Sequence, residues 1–289
     1  MNNLIRMITT DGQISVIALD STNIVTEMKR IHSTSKVCSA ALGRLLTAAS
    51  LMGCSLKGKE DSLTLRINAD GPCESVLAVS DSSGNVRGYI GENNIQLPLN
   101  EKGKLDVKGA VGTNGSLTVI KDLGLKEPYV GQVPLVSGEI AEDITSYFAV
   151  SEQIPTVCAL GVLVDPDTED IICSGGFLIQ LLPFADDAVI DLLEKDLENI
   201  QPVTTMLFDR MTPEEICRKI LPSFDLDTLD SSFVEYKCTC SRERVSKALI
   251  ATGKDGLSEM AEDETTEVVC NFCNKKYHFS REEILSFMK

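Results

Sequence analysis

The sequence predicts an α+β fold: an N-terminal β-sheet core domain with packed helices, a helical linker, and a small C-terminal zinc-binding domain. Three observations carry that prediction. Runs of alternating apolar and polar residues separated by Gly-containing turns fill much of the first 180 of the 289 residues. Acidic stretches with apolar residues at helical spacing follow, and four of the ten cysteines gather into two close pairs near the C-terminus. The expected division is a core over residues 1–180, an acidic helical linker over 181–234 and the small C-terminal domain, which carries the paired cysteines, over 235–289.

Residues 4–16 read as a hairpin turning at Asp11-Gly12. From Thr22 to Leu56 apolar residues recur at helical spacing, most strongly in SAALGRLLTAASLM. SLTLRINA, SVLAVSD and VRGYIGE alternate as strands with turn residues between them, and GSLTVIKDL supplies another. Ile140, Ile144, Phe148 and Val150 mark an amphipathic helix, after which TVCALGVLVD and GGFLIQLLP read as a buried hairpin.

Beyond Pro183 the composition turns acidic. Val189, Leu192, Leu193, Leu197 and Ile200 fall in helical register, and TTMLFDR extends the helical region past Pro202. Thr212-Pro213-Glu214-Glu215 combines an N-cap, a proline at the first helical position and a glutamate placed to close a capping box. Residues 223–235 carry only scattered anchors, Phe224, Leu226, Leu229 and Phe233, and read as a linker. In the last unit GLSEMAEDE is helix-like, KKYHFS is strand-like, and Ser280 to Glu283 form a second capping box.

Composition narrows the function. An apolar content of 43% is enough to bury a sizeable core, and the net charge of −16 opposes binding to a phosphate backbone. The acidity is uneven: residues 1–138 hold 13 acids and 14 bases, whereas 139–289 hold 30 acids and 13 bases. No targeting segment and no apolar stretch of membrane-spanning length is visible. These features predict a cytoplasmic protein with neither nucleic acid nor membrane as partner, in a compartment where clustered thiols bind metals or do redox chemistry.

Six cysteines, Cys38, Cys54, Cys73, Cys158, Cys173 and Cys217, stand alone in sequence and read as small buried hydrophobes. Cys238-Thr239-Cys240 and Cys270-Asn271-Phe272-Cys273 differ, because two close pairs joined by a helix-sized spacer can converge on one tetrahedral Zn2+ ion. His278 offers an alternative Cys3His set, but the four cysteines already complete the tetrahedron, and His32 reads as an ordinary core or surface histidine. Zinc keeps thiols ionised, and the thiolate is the form that oxidants attack, so a small domain held by such a site is a potential switch. A purely structural zinc site has the same spacing. So does a zinc-ribbon interaction module, and Cys270 with Cys273 could also serve a thiol-disulfide oxidoreductase. Other catalytic residues find no candidates: there is no Ser/His/Asp set, phosphate loop or HExxH motif.

With these residues in view, the chain closely resembles the redox-regulated 33 kDa chaperonin (heat-shock protein 33) family. The CxC and CxxC pairs match that family's signature at Cys238, Cys240, Cys270 and Cys273. Its core is matched by VRGYIG, by the block from GSLTVIKDLGLKEPYVGQ through SEQIPT, and by GGFLIQLLP. The resemblance implies an ATP-independent holdase rather than an enzyme, inactive while reduced and bound to one zinc ion. It implies that oxidation joins Cys238 to Cys240 and Cys270 to Cys273, releases zinc and unfolds the linker. It also implies that the activated protein forms a homodimer and binds unfolding client proteins under oxidative and heat stress.

Overall fold

The computed structural model describes residues 3–288, which fall into two compact units divided between Tyr236 and Lys237. In the larger unit the chain runs β1 (Leu4–Thr9), β2 (Ile14–Asp20), α1 (Thr22–His32), α2 (Lys36–Gly53), β3 (Ser62–Ala69), β4 (Ser75–Asp81) and β5 (Val86–Ile90). It continues through α3 (Val107–Val111), β6 (Gly115–Asp122), β7 (Tyr129–Pro134), α4 (Ala141–Tyr147), β8 (Thr156–Val164) and β9 (Ile171–Leu181). The acidic segment supplies α5 (Asp187–Leu197), α6 (Val203–Phe208), α7 (Pro213–Ile220) and β10 (Leu226–Ser232).

Two five-stranded sheets result, ordered β10-β1-β2-β9-β8 and β5-β4-β3-β6-β7, with every strand pair antiparallel. Between them runs α2, which touches β3, β4 and β5 of one sheet and β8 and β9 of the other. Its sequence explains that position. Nearly every residue from Val37 to Gly53 is buried, as expected of a helix that is apolar all round, and its small residues let strands approach closely. A methyl group added at Gly43 would sit 2.9 Å from Val25 and Val162, and one at Gly53 would meet Ser80 Oγ at 2.1 Å.

The first sheet is buried on both faces, and strand alternation assigns the residues. Ile17, Leu19 and Leu178 face the α2 side, while Val16, Ala18, Phe177 and Ile179 join a second core with residues of α5, α6 and α7, including Val189, Met206, Ile216 and Ile220. Here α6 packs on β8 and β9, and α7 on β1 and β2. The Thr212 capping box forms as expected, Thr212 Oγ1 accepting from Glu215 N and Glu215 Oε2 accepting from Thr212 N.

The structure departs from the sequence reading in several places. The helical run from Thr22 breaks into α1 and α2 at Ser33, which takes a left-handed conformation (φ 50°) in a polar Ser-Thr-Ser stretch. Residues 226–232, read as weakly patterned linker, form β10 along the edge of β1. Only Leu226 among its apolar residues is buried, and acids occupy the outer positions, a pattern that suits an exposed edge but carries little strand signal. Past β10, Asn3 clamps the chain: its amide donates to Val234 O (3.0 Å) while its Oδ1 accepts from Val234 N (2.8 Å).

A polar cluster closes the second sheet. α4 continues as a π-helical turn, Phe148–Glu152, which carries Glu152 to Lys121 Nζ (2.6 Å) and to the hydroxyl of buried Tyr147. Burial alone would raise the Glu152 pKa, but these two donors outweigh it and hold the carboxyl below its ordinary value. With the folded pKa depressed, its stabilisation is full above the unfolded value of about 4.3 and is lost as pH falls through the folded one. Glu152→Gln is therefore expected to cost about 1–2 kcal/mol at pH 7, a few degrees in the melting temperature of this unit. The gap between the melting curves of variant and parent should narrow progressively as pH falls below about 4.3; a gap that does not narrow on acidification counts against the ionic role.

Candidate metal centre

The smaller unit contains α8 (Arg242–Ala251), α9 (Gly253–Met260), β11 (Thr265–Val269), β12 (Lys276–Ser280) and α10 (Arg281–Ser286). Its core is small: Leu249, Leu257, Ala261, Tyr277, Phe279 and Ile284 are its buried side chains. β11 and β12 pair as an antiparallel hairpin, and Cys270 to Cys273 form its turn. There Cys270 O accepts from Asn274 N (2.8 Å) and Cys273 N (3.3 Å), Cys270 N donates to Lys275 O (3.0 Å), and Asn274 takes the left-handed conformation that closes the turn.

Cys238 and Cys240 lie in irregular chain just before α8. Ser241 caps that helix by accepting from Arg244 N (3.2 Å), and the Arg244 guanidinium returns to bind Thr239 O (3.2 Å) and Oγ1 (2.6 Å). This fixes the peptide between the two cysteines. It also places Cys240 beside a helix N-terminus, whose partial positive charge favours a thiolate.

The two motifs meet. The four sulfurs of Cys238, Cys240, Cys270 and Cys273 all lie within 4.8 Å of one another, Cys238 to Cys270 at 3.8 Å and Cys240 to Cys273 at 3.4 Å. Zinc–sulfur bonds of about 2.3 Å in a tetrahedron place the sulfurs about 3.8 Å apart, so the cluster fits such an ion. Burial opposes ionisation of Cys240, but hydrogen bonds from the Tyr277 hydroxyl and the neighbouring thiols bring its pKa down to about 7. Burial pushes Cys238 and Cys273 upward. None of the ten cysteines is in a disulfide.

His278 is not in this cluster. It points outward between buried Tyr277 and Phe279, with Nε2 3.6 Å from Glu267. His32 is buried in the larger unit, its Nε2 3.1 Å from the Tyr236 hydroxyl. Of the isolated cysteines, Cys38, Cys54, Cys73, Cys173 and Cys217 are buried and Cys158 is half-buried. Burial raises Cys54 and Cys173 to about 11 and Cys73 and Cys217 to about 12, which keeps these thiols protonated and unreactive. The sequence reading missed Arg244 and Tyr277. The alternation of KYHFS, with Tyr277 and Phe279 on one face, was the available signal for the second.

Fold and centre together define a class: a mixed α+β protein whose small second unit is organised on a four-cysteine cluster suited to a metal ion. Residues 2–280 match the family model described as Hsp33 protein, and the chain belongs to that family. It is 49% identical to the 33 kDa chaperonin of Clostridium beijerinckii over 284 residues, 98% of this chain and 97% of that one. With the 33 kDa chaperonin of Lachnoclostridium phytofermentans the identity is 50% over 282 residues, 97% and 96% of the two chains. The crystal structure of the 33 kDa chaperonin (heat shock protein 33 homolog) from Thermotoga maritima superposes with a TM-score of 0.88 at 38% identity, covering 100% of this chain and 98% of that one. The family is one of chaperones rather than enzymes. No helix among the described residues is long and apolar enough to cross a membrane.

Proposed function

We propose that this chain is a redox-regulated, ATP-independent holdase of the reduced cytoplasm, silent while Cys238, Cys240, Cys270 and Cys273 hold one Zn2+ ion as thiolates. The observation that carries this reading is the four-sulfur cluster at tetrahedral spacing in a unit with so small a core. A bound zinc supplies charge neutralisation and cross-linking, and through them most of the folding energy of such a unit.

The oxidation balances with a peroxide as the electron acceptor. For each thiolate pair, one peroxide takes two electrons, one S–S bond forms as the O–O bond breaks, and two hydroxide ions leave. Pairing Cys238 with Cys240 and Cys270 with Cys273 consumes all four ligands, and the site can no longer hold its ion. The zinc domain, residues 235–289, then loses its order, and the linker over 181–234 undocks. The second core supports that step, since removing α5, α6 and α7 uncovers Met7, Val16, Phe177 and Ile179. This apolar surface would bind unfolding clients and the second subunit of an activated homodimer; nucleic acid and membranes are not partners in this reading. The hairpin position of the CxxC, rather than the start of a helix, speaks against a thiol-disulfide oxidoreductase.

The test is light scattering of a thermally unfolding client with zinc release followed in parallel. The reduced, zinc-loaded chain should leave aggregation unchecked, and the peroxide-treated chain should suppress it as zinc appears in solution. Equal suppression by both forms would falsify the switch.

A further inference from the structure

Tyr277 belongs to neither cysteine motif, yet its hydroxyl donates to Cys240 Sγ at 3.1 Å. The ring is buried in the small unit's core, paired across the hairpin with Val268 and flanked by Lys275, whose Nζ lies 5.3 Å from the ring centre. A buried, strand-borne phenol has few rotamers, so packing fixes the position of its hydroxyl. Cys240, by contrast, lies in irregular chain and has no ladder to hold its sulfur.

We propose that Tyr277 is a positioning residue for the metal centre, holding Cys240 Sγ in the ligand position and so setting how tightly the four thiolates retain zinc. This rests on the zinc reading above. Four thiolates around a divalent cation carry a net charge of −2, and a hydroxyl donor withdraws part of the charge on one sulfur. It thereby lowers repulsion within the set while restricting that sulfur's swing. Partners of this kind behind a metal ligand typically change affinity by about 10–100-fold when removed.

The experiment compares the full-length reduced chain with Tyr277→Phe, which keeps the ring, and with Tyr129→Phe, whose lost hydroxyl is bonded to Ser151 in the larger unit. Chelator competition should show zinc bound about 10–100-fold more weakly in Tyr277→Phe and unchanged in Tyr129→Phe. In the cobalt-substituted proteins the sulfur-to-metal charge-transfer band of Tyr277→Phe should move to longer wavelength, because an unbonded thiolate is the better electron donor. Wild-type affinity together with an unmoved band overturns the proposal. If Tyr277→Phe does not fold on metal loading, the wild-type chain carrying cadmium-113 decides the matter. A hydroxyl proton of Tyr277 coupled through sulfur to cadmium supports the assignment, and an uncoupled one overturns it. A wild-type chain that retained no zinc at all would remove the underlying zinc reading, a result distinct from a variant that matches its parent.

Discussion

Stripping the metal from the reduced chain with a chelator is expected to unfold residues 237–288 and leave strands β1 to β9 paired in their two sheets. The smaller unit owns one two-stranded hairpin, which is marginal by itself, and three helices of 10, 8 and 6 residues around a few buried side chains. Domains of about 50 residues bury a smaller fraction of their surface than larger ones and are marginal on their apolar core alone. A structural zinc contributes about 10–16 kcal/mol apparent in comparable small units, more than this core can replace. The larger unit contains none of the four clustered sulfurs, and its own cores are extensive. Backbone amide spectra should therefore lose the dispersed signals of the small unit and keep those of β1 to β9 and α2. Cys273→Ser should reproduce the loss without chelator, by removing one ligand. If the small unit kept its dispersed signals after complete metal removal, the claim that the centre holds it together would fail.

The second large effect is expected from Ile220→Ala in α7. Ile220 is only 1% exposed and packs in the second core, where α7 lies on β1 and β2. Truncating such a side chain costs about 2–5 kcal/mol. The helix itself is secured locally by Pro213 and the Thr212–Glu215 box, so the loss falls on docking rather than on helix formation. In the reduced, metal-loaded protein, hydrogen exchange across residues 213–232 should quicken by about 30-fold or more, the equivalent of 2 kcal/mol. If undocking is the activating event, the same variant should also suppress client aggregation without oxidant. Exchange equal to the parent's would show that α7 is not held by this contact.

The sequence was most informative where one local rule dominated. β3, β4 and β5 were visible because apolar alternation and Gly- or Asp-containing turns agree, and both capping boxes, at Thr212 and Ser280, form as read. The cysteine spacing pointed to a shared centre, and the four sulfurs do converge. Elements held mainly by distant partners were not legible. β7 includes Pro134 and exposes Tyr129 and Val130, so its strand character comes from pairing with β6. β10 owes its conformation to β1, more than 200 residues away in sequence. The Tyr277 hydroxyl reaches Cys240 across 37 positions, a contact that no local pattern encodes.

The pairing of β10 with β1 also bears on how the protein is made. β1 leaves the ribosome before its partners and can pair with β2 soon afterwards, but its other edge waits for residues 226–232. At about 5–20 residues per second, translation leaves that edge open for on the order of ten to forty seconds. The nascent chain thus carries an unpaired, apolar-flanked strand for that interval, and a member of a chaperone family is itself exposed to strand-to-strand association until its acidic segment arrives to close the sheet.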